Sequence, residues 1–355
     1  MATMGNRVTS TTQNKLMPFV VDTFLNGNVF ATRQLGAAKR YSGERMNFPI
    51  KWAGNTTGQS FAGFDTFSTA AVDNFIRMAF VPKFYQISVS LPLDELWVNN
   101  TEEKIIDLMG LSCESSAQDM ADAVGTLFYA DGTGNGSKDF LGLTAIVDDG
   151  TNVATYGTLA RSTYTTIKAT LTASGGTLTL AKMDTLYNAV TSGNQKPTCG
   201  FTPEAVFSLY GQLLQPQERI SKDVSMIKTQ GNYGKAGTGF YSGTGFTGLF
   251  FKGFPVLGDE KATSGALYFI DEDFVDFYAL PPEKAAKVGL AEAINYKSVD
   301  IEGNDYSDVM GLGFCWSGWV KPTNSASMVG HIYLGGELIG KNPKRTGQLT
   351  GITTV

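Results

Sequence analysis

The sequence predicts an α+β fold, and two kinds of hydrophobic periodicity carry that prediction. Residues 45–52 and 85–91 alternate apolar with polar side chains, which is the two-residue period of half-buried strands. Residues 101–129 instead place apolar side chains three or four positions apart, which is the period of an amphipathic helix. The chain has 355 residues, of which 42% are hydrophobic, so it can bury a sizeable core.

Two features of the composition depart from those of an ordinary soluble domain. Charged residues make up only 17% of the chain, whereas roughly 25% is usual. Glycine accounts for 41 residues, which is also above its usual share. Few charges indicate surface that does not face water, and many glycines indicate unusual backbone turns. The net charge of −5 disfavours a protein dedicated to reading nucleic-acid sequence.

The sequence also lacks several signals that define other classes of protein. No apolar run is long enough for a transmembrane helix, and the first fifteen residues lack the apolar core of a secretory signal. Cys113, Cys199 and Cys315 are odd in number and far apart, which predicts reduced thiols with no disulfide and no thiolate metal site. We therefore expect neither a membrane segment nor a disulfide framework.

Histidine gives the sharpest exclusion. His331 is the only histidine, so a His-rich metal centre is excluded and a Ser-His or Cys-His site would have to use this residue. The surrounding residues 328–334 have the character of a strand, and no nucleophile-elbow motif occurs. We predict that His331 is an ordinary strand residue and that the chain has no catalytic residue, metal site or cofactor.

Both ends of the chain are basic although the whole is acidic. Residues 1–45 contain two acidic and six basic residues, namely Arg7, Lys15, Arg33, Lys39, Arg40 and Arg45. The last fifteen residues carry three basic residues and no acidic one. Such ends are ordinarily solvated tails. The alternative is that they lie near polyphosphate, where contact is electrostatic and does not depend on sequence.

Residues 53–79 connect the two alternating segments and are rich in Gly, Ser and Thr. They nevertheless carry four phenylalanines, Phe61, Phe64, Phe67 and Phe75, and Trp52 precedes them. A connection of this length is usually functional or disordered, and an isolated two-stranded ribbon is marginal in water. Either this segment folds back onto its own body, or the ribbon projects and buries its rings on a neighbouring subunit.

The helical pattern at 101–129 predicts a helix about 43 Å long. Asn100 and Glu103 can cap its start, and Asp131-Gly132 ends it. The following Gly-rich segment, 131–136, lacks the Lys of a phosphate-binding loop and the final Glu of a calcium loop, so a simple turn is predicted.

The rest of the chain predicts a mixture of helices and strands. Helices are expected at 180–192 and after Thr202-Pro203-Glu204, which is a good helix start. Seven glycines at 231–248 exclude a stable helix and predict a loop, either flexible or ordered by neighbouring subunits. Strands are expected at 254–257, 266–270, 274–278, 309–320 and 328–334.

Taken in order, these segments resemble one family. The segments that carry the resemblance are Leu127–Gly136, Phe140–Leu143, Phe251–Asp259 and Leu267–Ile270. The chain resembles the major capsid proteins of tailed bacteriophages, which have the Hong Kong 97-type fold. The resemblance covers nearly the whole chain and rests on the order and spacing of the segments, because no single motif is diagnostic.

The resemblance implies a division of the chain into parts. The implied parts are an N-terminal arm at 1–44, an extended β-ribbon loop at 45–91, a peripheral domain at 92–165 with a spine helix at 101–129, an axial domain at 166–290, and return strands of the peripheral domain with the C-terminal tail at 291–355. The extended loop would reach over an adjacent subunit, and the Gly-rich loop would lie in the axial domain.

The implied function is self-assembly, as hexamers and pentamers, into an icosahedral shell that encloses double-stranded DNA. The implied partners are other copies of the chain, a portal protein, the packaged DNA and, as options, a separate scaffold and a cementing or decoration protein. The protein would be made in the host cytoplasm and located in the virion capsid. Segment 53–79 has no lysine, so covalent crosslinking from it is not expected.

The resemblance also suggests roles for individual residues. The implied contacts with a neighbouring subunit are Trp52, Phe61, Phe64, Phe67 and Phe75, and the basic residues that would face DNA are Arg7, Lys15, Lys39 and Arg40. Two other readings stay open. One is an encapsulin-type compartment, which shares the fold but encloses enzymes. The other is an enzyme or sugar-binding protein that uses Asp271, Glu272 and Asp273, although such clusters are more typical of a solvated turn.

Overall fold

Two β-sheets organise the part of the chain that the computed structural model describes, residues 28–41, 43–98, 102–214, 248–280, 314–316 and 320–353. The strands are β1 (Lys39–Arg40), β2 (Met46–Lys51), β3 (Phe75–Phe80), β4 (Lys83–Pro92), β5 (Thr155–Tyr156), β6 (Leu159–Ala160), β7 (Thr170–Thr172), β8 (Cys199–Thr202), β9 (Gly248–Phe251), β10 (Phe254–Gly258), β11 (Leu267–Ile270), β12 (Val275–Ala279), β13 (Phe314–Trp316), β14 (Ser327–Gly340) and β15 (Gly347–Leu349). The helices are α1 (Val29–Gly36), α2 (Leu93–Val98), α3 (Glu102–Leu127), α4 (Gly134–Ser137), α5 (Leu143–Ile146), α6 (Leu180–Val190) and α7 (Glu204–Leu214).

The first sheet is built around the long strand β14. Strand β4 pairs with it antiparallel from Ser327↔Pro92 to Gly336↔Lys83. Strands β12 and β13 also pair antiparallel with β14, and β1 adds to β12 in parallel. Helix α3 packs against this sheet because its apolar stripe, including Met120 and Val124, is fully buried. Phe128, one residue beyond the helix, contacts the rings of Phe140 and Phe277.

The second sheet has the strand order β7-β15-β11-β8-β10-β9. Its own hydrophobic cluster lies between the sheet and helices α6 and α7. That cluster includes Met183, Leu186, Val206, Tyr210, Phe254 and Phe269. Strand β15 comes from the C-terminal end of the chain yet pairs with β11, and β12 follows β11 yet joins the first sheet. Each sheet therefore contains strands from both sides of residue 290, which is the predicted end of the axial domain. The predicted domain boundaries stay a prediction.

Most of the predicted elements are confirmed. The long helix spans Glu102–Leu127, and its proposed cap at Asn100 lies outside the described residues. The other confirmed elements are the helices at Leu180–Val190 and Glu204–Leu214 and the strands at Phe254–Gly258, Leu267–Ile270, Val275–Ala279 and Ser327–Gly340. Of the predicted strand at 309–320, the structure describes Phe314–Trp316 and a bridge from Val320 to Val329. The Gly-rich loop at 231–248 lies outside the described residues except for its last glycine.

The pairing within the extended loop differs from the sequence pattern. The alternating segments at 45–52 and 85–91 are both strands, but they do not pair with each other. Strand β2 pairs with β3, from Met46↔Phe80 to Lys51↔Phe75, and β4 belongs to the first sheet. Strand β3 was missed because Phe75–Phe80 is almost continuously apolar and has no clean alternation. The connector between the paired strands is therefore residues 52–74.

The first described segment, which the resemblance assigns to the N-terminal arm, packs into the body. Phe30 is fully buried, its ring meets those of Phe128, Tyr129 and Phe201, and its backbone N–H donates to Asp259 Oδ2 at 2.9 Å. Asn28 is also buried, and its Nδ2 donates to the carbonyl of Ala121 in α3 at 2.8 Å.

A glycine in the middle of α3 makes room for this contact. A Cβ atom at Gly125 would lie 2.5 Å from Asn28 Cγ, so only glycine permits the close approach. By contrast, a Cβ at Gly211 in α7 would meet only Leu249 Cδ1 at 3.8 Å, an ordinary contact. Alanine at Gly211 can therefore serve as the control for alanine at Gly125, since both glycines lie within helices.

We predict opposite effects of alanine at these two positions. Gly125→Ala should lower the free energy of unfolding by about 1–3 kcal/mol because it displaces Asn28. Gly211→Ala should raise it by about 0.5–1 kcal/mol through helix propensity. Urea unfolding of the unassembled chain followed by circular dichroism measures both, and the double variant Asn28→Ala/Gly125→Ala should recover part of the loss. Equal stabilisation by both alanines would contradict the docking of Asn28.

Candidate functional site

The candidate site is the projecting connector, residues 52–74, together with the platform on which its ribbon packs, which is the segment 145–167. The backbone N–H of Trp52 donates to the carbonyl of Asn74 at 3.0 Å and closes the connector at the end of the β2–β3 ribbon. Within it, Asn55 Oδ1 accepts from the backbone N–H of Thr57 and Asp65 Oδ2 accepts from that of Ala62. The connector is thus a hydrogen-bonded loop of defined shape.

Its aromatic rings face outward. Phe64 is fully exposed, and Phe61, Phe67 and Phe75 each expose more than half of their surface. Trp52 is more than one-third exposed and meets the Tyr164 ring edge-to-face at 5.5 Å. The rings of Phe61 and Phe67 contact each other at 5.1 Å. We call Phe61, Phe64 and Phe67, which lie close together along the chain, the ring cluster. The alternative in which this loop folds back onto its own body is therefore wrong for Phe61, Phe64 and Phe67.

An exposed cluster of this kind is unfavourable in water. Each phenylalanine ring gains about 1.5–3 kcal/mol when it leaves water for an apolar surface. Contiguous exposed apolar surface rimmed by polar residues is typical of a protein interaction site. The connector contains only two charged residues, Asp65 and Asp73, which matches the depletion of charge at the centre of interfaces. Contact of these rings with a second copy of the chain stays a prediction.

The base of the ribbon packs tightly on the body. Met46 and Met78 are almost fully buried. The Phe80 ring meets the Tyr156 ring at 5.1 Å, and the backbone N–H of Ala79 donates to the carbonyl of Gly157 at 3.0 Å. Gly157 has φ +56, and a Cβ there would lie 2.9 Å from the Met78 side chain. The ribbon therefore projects from a close-packed base.

A buried ion pair organises the platform under that base. Arg161 and Asp148 both have fully buried side chains, and Arg161 Nη1 lies 3.1 Å from Asp148 Oδ2. The guanidinium also donates to the carbonyls of Ala145, Ile146 and Val153. The carboxylate of Asp148 in turn accepts from the backbone N–H groups of Gly150, Asn152 and Val153. The charged nitrogen and oxygen atoms of both side chains therefore have hydrogen-bond partners, which a buried ion pair needs in order to be stable.

This pair positions the aromatic residues that receive the ribbon. The Arg161 guanidinium lies 5.0 Å from the centre of the Tyr156 ring, and its Nε donates to the carbonyl of Ile167, just beyond Tyr164. Burial raises the pKa of Tyr156, so its hydroxyl stays neutral and exchanges hydrogen bonds with the backbone of Gly340. No sequence signal indicates this pair, because an Arg and an Asp thirteen residues apart in a loop have no diagnostic spacing.

Two of the four basic residues that were predicted to face DNA lie in the described part of the chain. Arg7 and Lys15 lie outside the described residues. Lys39 lies in β1 with its side chain half exposed, and its ammonium lies 2.7 Å from Asp276 Oδ2. Lys341 binds the same oxygen at 2.5 Å. Arg40 is exposed on the same short strand. The two basic ends of the chain therefore meet at Asp276, which sequence order did not indicate.

The residues that were considered for catalysis or ligand binding lie in a strand, a turn and an ion pair of the fold. His331 lies in β14 opposite Ser88, which confirms the strand prediction. Glu272 forms a bidentate ion pair with Arg33, and Asp271 accepts from the backbone N–H of Asp273 in the turn between β11 and β12. Burial raises the pKa of Asp271. Residues 131–136 form the predicted turn, with Asn135 and Gly136 in the left-handed region.

The described part of the chain contains neither a metal-binding cluster nor a helix suited to cross a membrane. No group of three or more His, Cys, Asp or Glu side chains there is arranged to hold a metal ion. No helix in those ranges combines the length and the apolar character needed to cross a membrane.

Solved structures with similar architecture cover almost the whole chain. The capsid of cyanophage A-1(L) aligns with a TM-score of 0.62 at 15% identity, over 91% of this chain and 93% of that one. The capsid of Myoviridae phage XM1 aligns with a TM-score of 0.52 at 12% identity, over 91% and 92%. The holo-SrpI encapsulin complex from Synechococcus elongatus PCC 7942 aligns with a TM-score of 0.51 at 10% identity, over 89% and 85%. No protein-family model and no curated protein matches the sequence.

These likenesses identify the class of fold. The chain shares the architecture of proteins found in phage capsids and in an encapsulin. That architecture is the α+β Hong Kong 97-type fold, so the fold that the sequence resemblance implied is confirmed. At these identities the likeness shows the fold alone.

We predict that the buried ion pair matters far more to stability than an exposed one. Asp148→Asn leaves the guanidinium of Arg161 buried without its counter-ion and should cost about 3–5 kcal/mol. The matched control is Asp184→Asn, which removes the partner of Lys252 in a largely exposed pair and should cost less than about 1 kcal/mol. Urea unfolding measures both variants. Equal losses would show that Asp148 does not organise the platform.

Proposed function

We propose that this chain is the major capsid protein of a tailed phage. It assembles as hexamers and pentamers into an icosahedral shell around double-stranded DNA and catalyses no reaction. The observation that carries the proposal is the combination of a capsid fold over more than nine-tenths of the chain with a projecting loop whose rings are exposed. A ring cluster that is unfavourable in one subunit becomes favourable when each subunit covers the loop of the next.

The same proposal assigns the remaining partners. A portal protein replaces capsomer copies at one vertex, and packaging fills the shell with DNA. A separate scaffold and a cementing or decoration protein are optional partners. The subunit is made in the host cytoplasm and ends in the virion capsid. Support for these partners comes from the shared fold and not from contacts in the chain.

An encapsulin-type compartment is the second candidate, since an encapsulin complex is among the similar structures. The content of native particles distinguishes the two. Particles are purified from producing cells, imaged by negative stain, treated with nuclease and then opened. Protected DNA of uniform length supports the phage shell, whereas a co-purified cargo protein without protected DNA supports the compartment. Chain that stays monomeric at high concentration in every buffer would exclude both.

We predict that the connector rings are needed for the shell and not for the subunit. The triple variant Phe61→Ser/Phe64→Ser/Phe67→Ser should change the free energy of unfolding of the unassembled chain by less than about 1 kcal/mol, because the rings touch little else. It should nevertheless yield no stable particles by electron microscopy. The control Thr66→Ser/Thr69→Ser alters the same loop and keeps its rings. Particles of normal shape and heat resistance from the triple variant would refute the role of the rings.

We also predict that the basic residues retain DNA electrostatically. Lys39→Gln/Arg40→Gln should reduce the DNA retained by particles, and adding Arg7→Gln/Lys15→Gln should reduce it further and make retention less dependent on salt, because fewer phosphate contacts remain. Lys138→Gln/Lys196→Gln removes two positive charges at exposed positions elsewhere and serves as the control. Asp276 keeps Lys341 as its partner in the test variant. Equal DNA content in all variants would count against these contacts.

A further inference from the structure

A second contact holds the base of the extended loop, and it contains a buried carboxyl group. Strand β3 ends at Phe80 and β4 begins at Lys83, so Lys83 is the point at which the ribbon joins the first sheet. Its ammonium donates to the carbonyl of Gly132 at 3.4 Å and to the carbonyl of Asp139. It also lies 3.9 Å from Glu337 Oε2, which is attraction across a gap and not a hydrogen bond.

Glu337 lies at the centre of this junction. Its side chain is 1% exposed in β14, next to Gly336, the cross-strand partner of Lys83. Its Oε1 accepts from the backbone N–H of Leu141 at 2.5 Å. One carboxyl group therefore joins three segments: the foot of the ribbon, the turn after the long helix, and the central strand of the first sheet.

Burial favours the neutral form of Glu337, whereas the nearby positive charge favours the ionised form. Burial raises the pKa of Glu337 to about 7, and the attraction of Lys83 and the Leu141 N–H only partly oppose this. The other titratable groups at the junction are Tyr156, which is buried and neutral, Tyr278 across the strand pair, and Asp131 and Asp139 on the turn beside Lys83. Within the described residues, Lys83 is the cation that faces Glu337.

We propose that Glu337 is a proton-dependent lock, which holds the foot of the extended loop closed when its carboxyl group is neutral and favours opening of the junction when it ionises. The lock is a property of the single subunit and does not rest on the proposed function. Lys83 limits the effect by stabilising the ionised form inside the closed junction.

The direction follows from proton linkage. A carboxyl group that titrates near pH 7 when closed and near 4.5 when exposed binds its proton more tightly in the closed form. Its contribution to closure is therefore complete below pH 4.5 and is lost as pH rises to about 7. For full exposure of Glu337, these two values give an opening constant about tenfold larger at about pH 8 than at about pH 6.

Hydrogen exchange of the full chain tests this directly, because the amide of Leu141 is itself bound to Glu337. Peptides covering 79–85, 138–143 and 335–339 are followed by mass spectrometry at both pH values and corrected for the intrinsic exchange rate. The expected result is roughly tenfold more opening at the higher pH in these peptides and no such change in the strand at 199–202, in the second sheet. Equal opening at the two pH values would overturn the proposal.

Two variants separate the lock from a general effect of pH. Glu337→Gln keeps an acceptor for the Leu141 N–H but cannot ionise, so its opening should not change with pH. Lys83→Met removes the cation, so the midpoint of the pH dependence should move upward. Infrared titration of the wild-type chain provides a readout without mutation, since a carboxyl band titrating near neutral pH should be absent from Glu337→Gln. A pH dependence retained in Glu337→Gln, or no such band in the wild-type chain, would refute the lock.

Discussion

The buried ion pair between Arg161 and Asp148 supports the part of the molecule that faces outward. A guanidinium with no exposed surface is tolerated only if its charge and its donors are all matched. Here a carboxylate and a ring of backbone carbonyls from residues 145–167 do this. Those same hydrogen bonds fix a loop that has little regular structure, and the fixed loop presents Tyr156, Gly157 and Tyr164 to the ribbon. A projecting loop can hold its direction only on a rigid base. The buried Arg161–Asp148 pair therefore helps to fix the orientation of the exposed connector.

The distribution of aromatic rings shows the same division between inside and outside. Phe30, Phe128, Phe140 and Phe277 pack edge-to-face or tilted in the core that joins α1, α3 and the first sheet. In the connector, Phe61 and Phe67 contact each other, and Trp52 at its base meets the Tyr164 ring of the body. The core rings stabilise the subunit, whereas the connector rings gain their stabilisation only when another surface covers them. Low charge and exposed rings in one segment are therefore consistent with a subunit that is complete only in an assembly.

The sequence predicted elements well where one period persisted over many residues. The long helix, β4 and β14 have sustained patterns, and each was found close to its expected range. Strand β3 was missed because its sequence is almost continuously apolar and lacks the alternation of apolar and polar residues. The exposed rings of the candidate site could be named from the sequence because they are adjacent along the chain. Contacts such as Arg161–Asp148 and Lys83–Glu337 could not, since they depend on loop conformations and on strand pairing between distant residues.

The two contacts at the foot of the loop differ in how they respond to protons. Arg161 keeps its charge throughout the physiological range, so its pair with Asp148 is a permanent anchor. Glu337 has the opposite character, because burial brings its titration to neutral pH. A ribbon held only by the first contact would have a fixed base, and one held only by the second would open about tenfold more readily at about pH 8 than at about pH 6. With both, the platform side of the ribbon stays docked while the β4 side can loosen, so a change in pH alters how freely the loop pivots without detaching it.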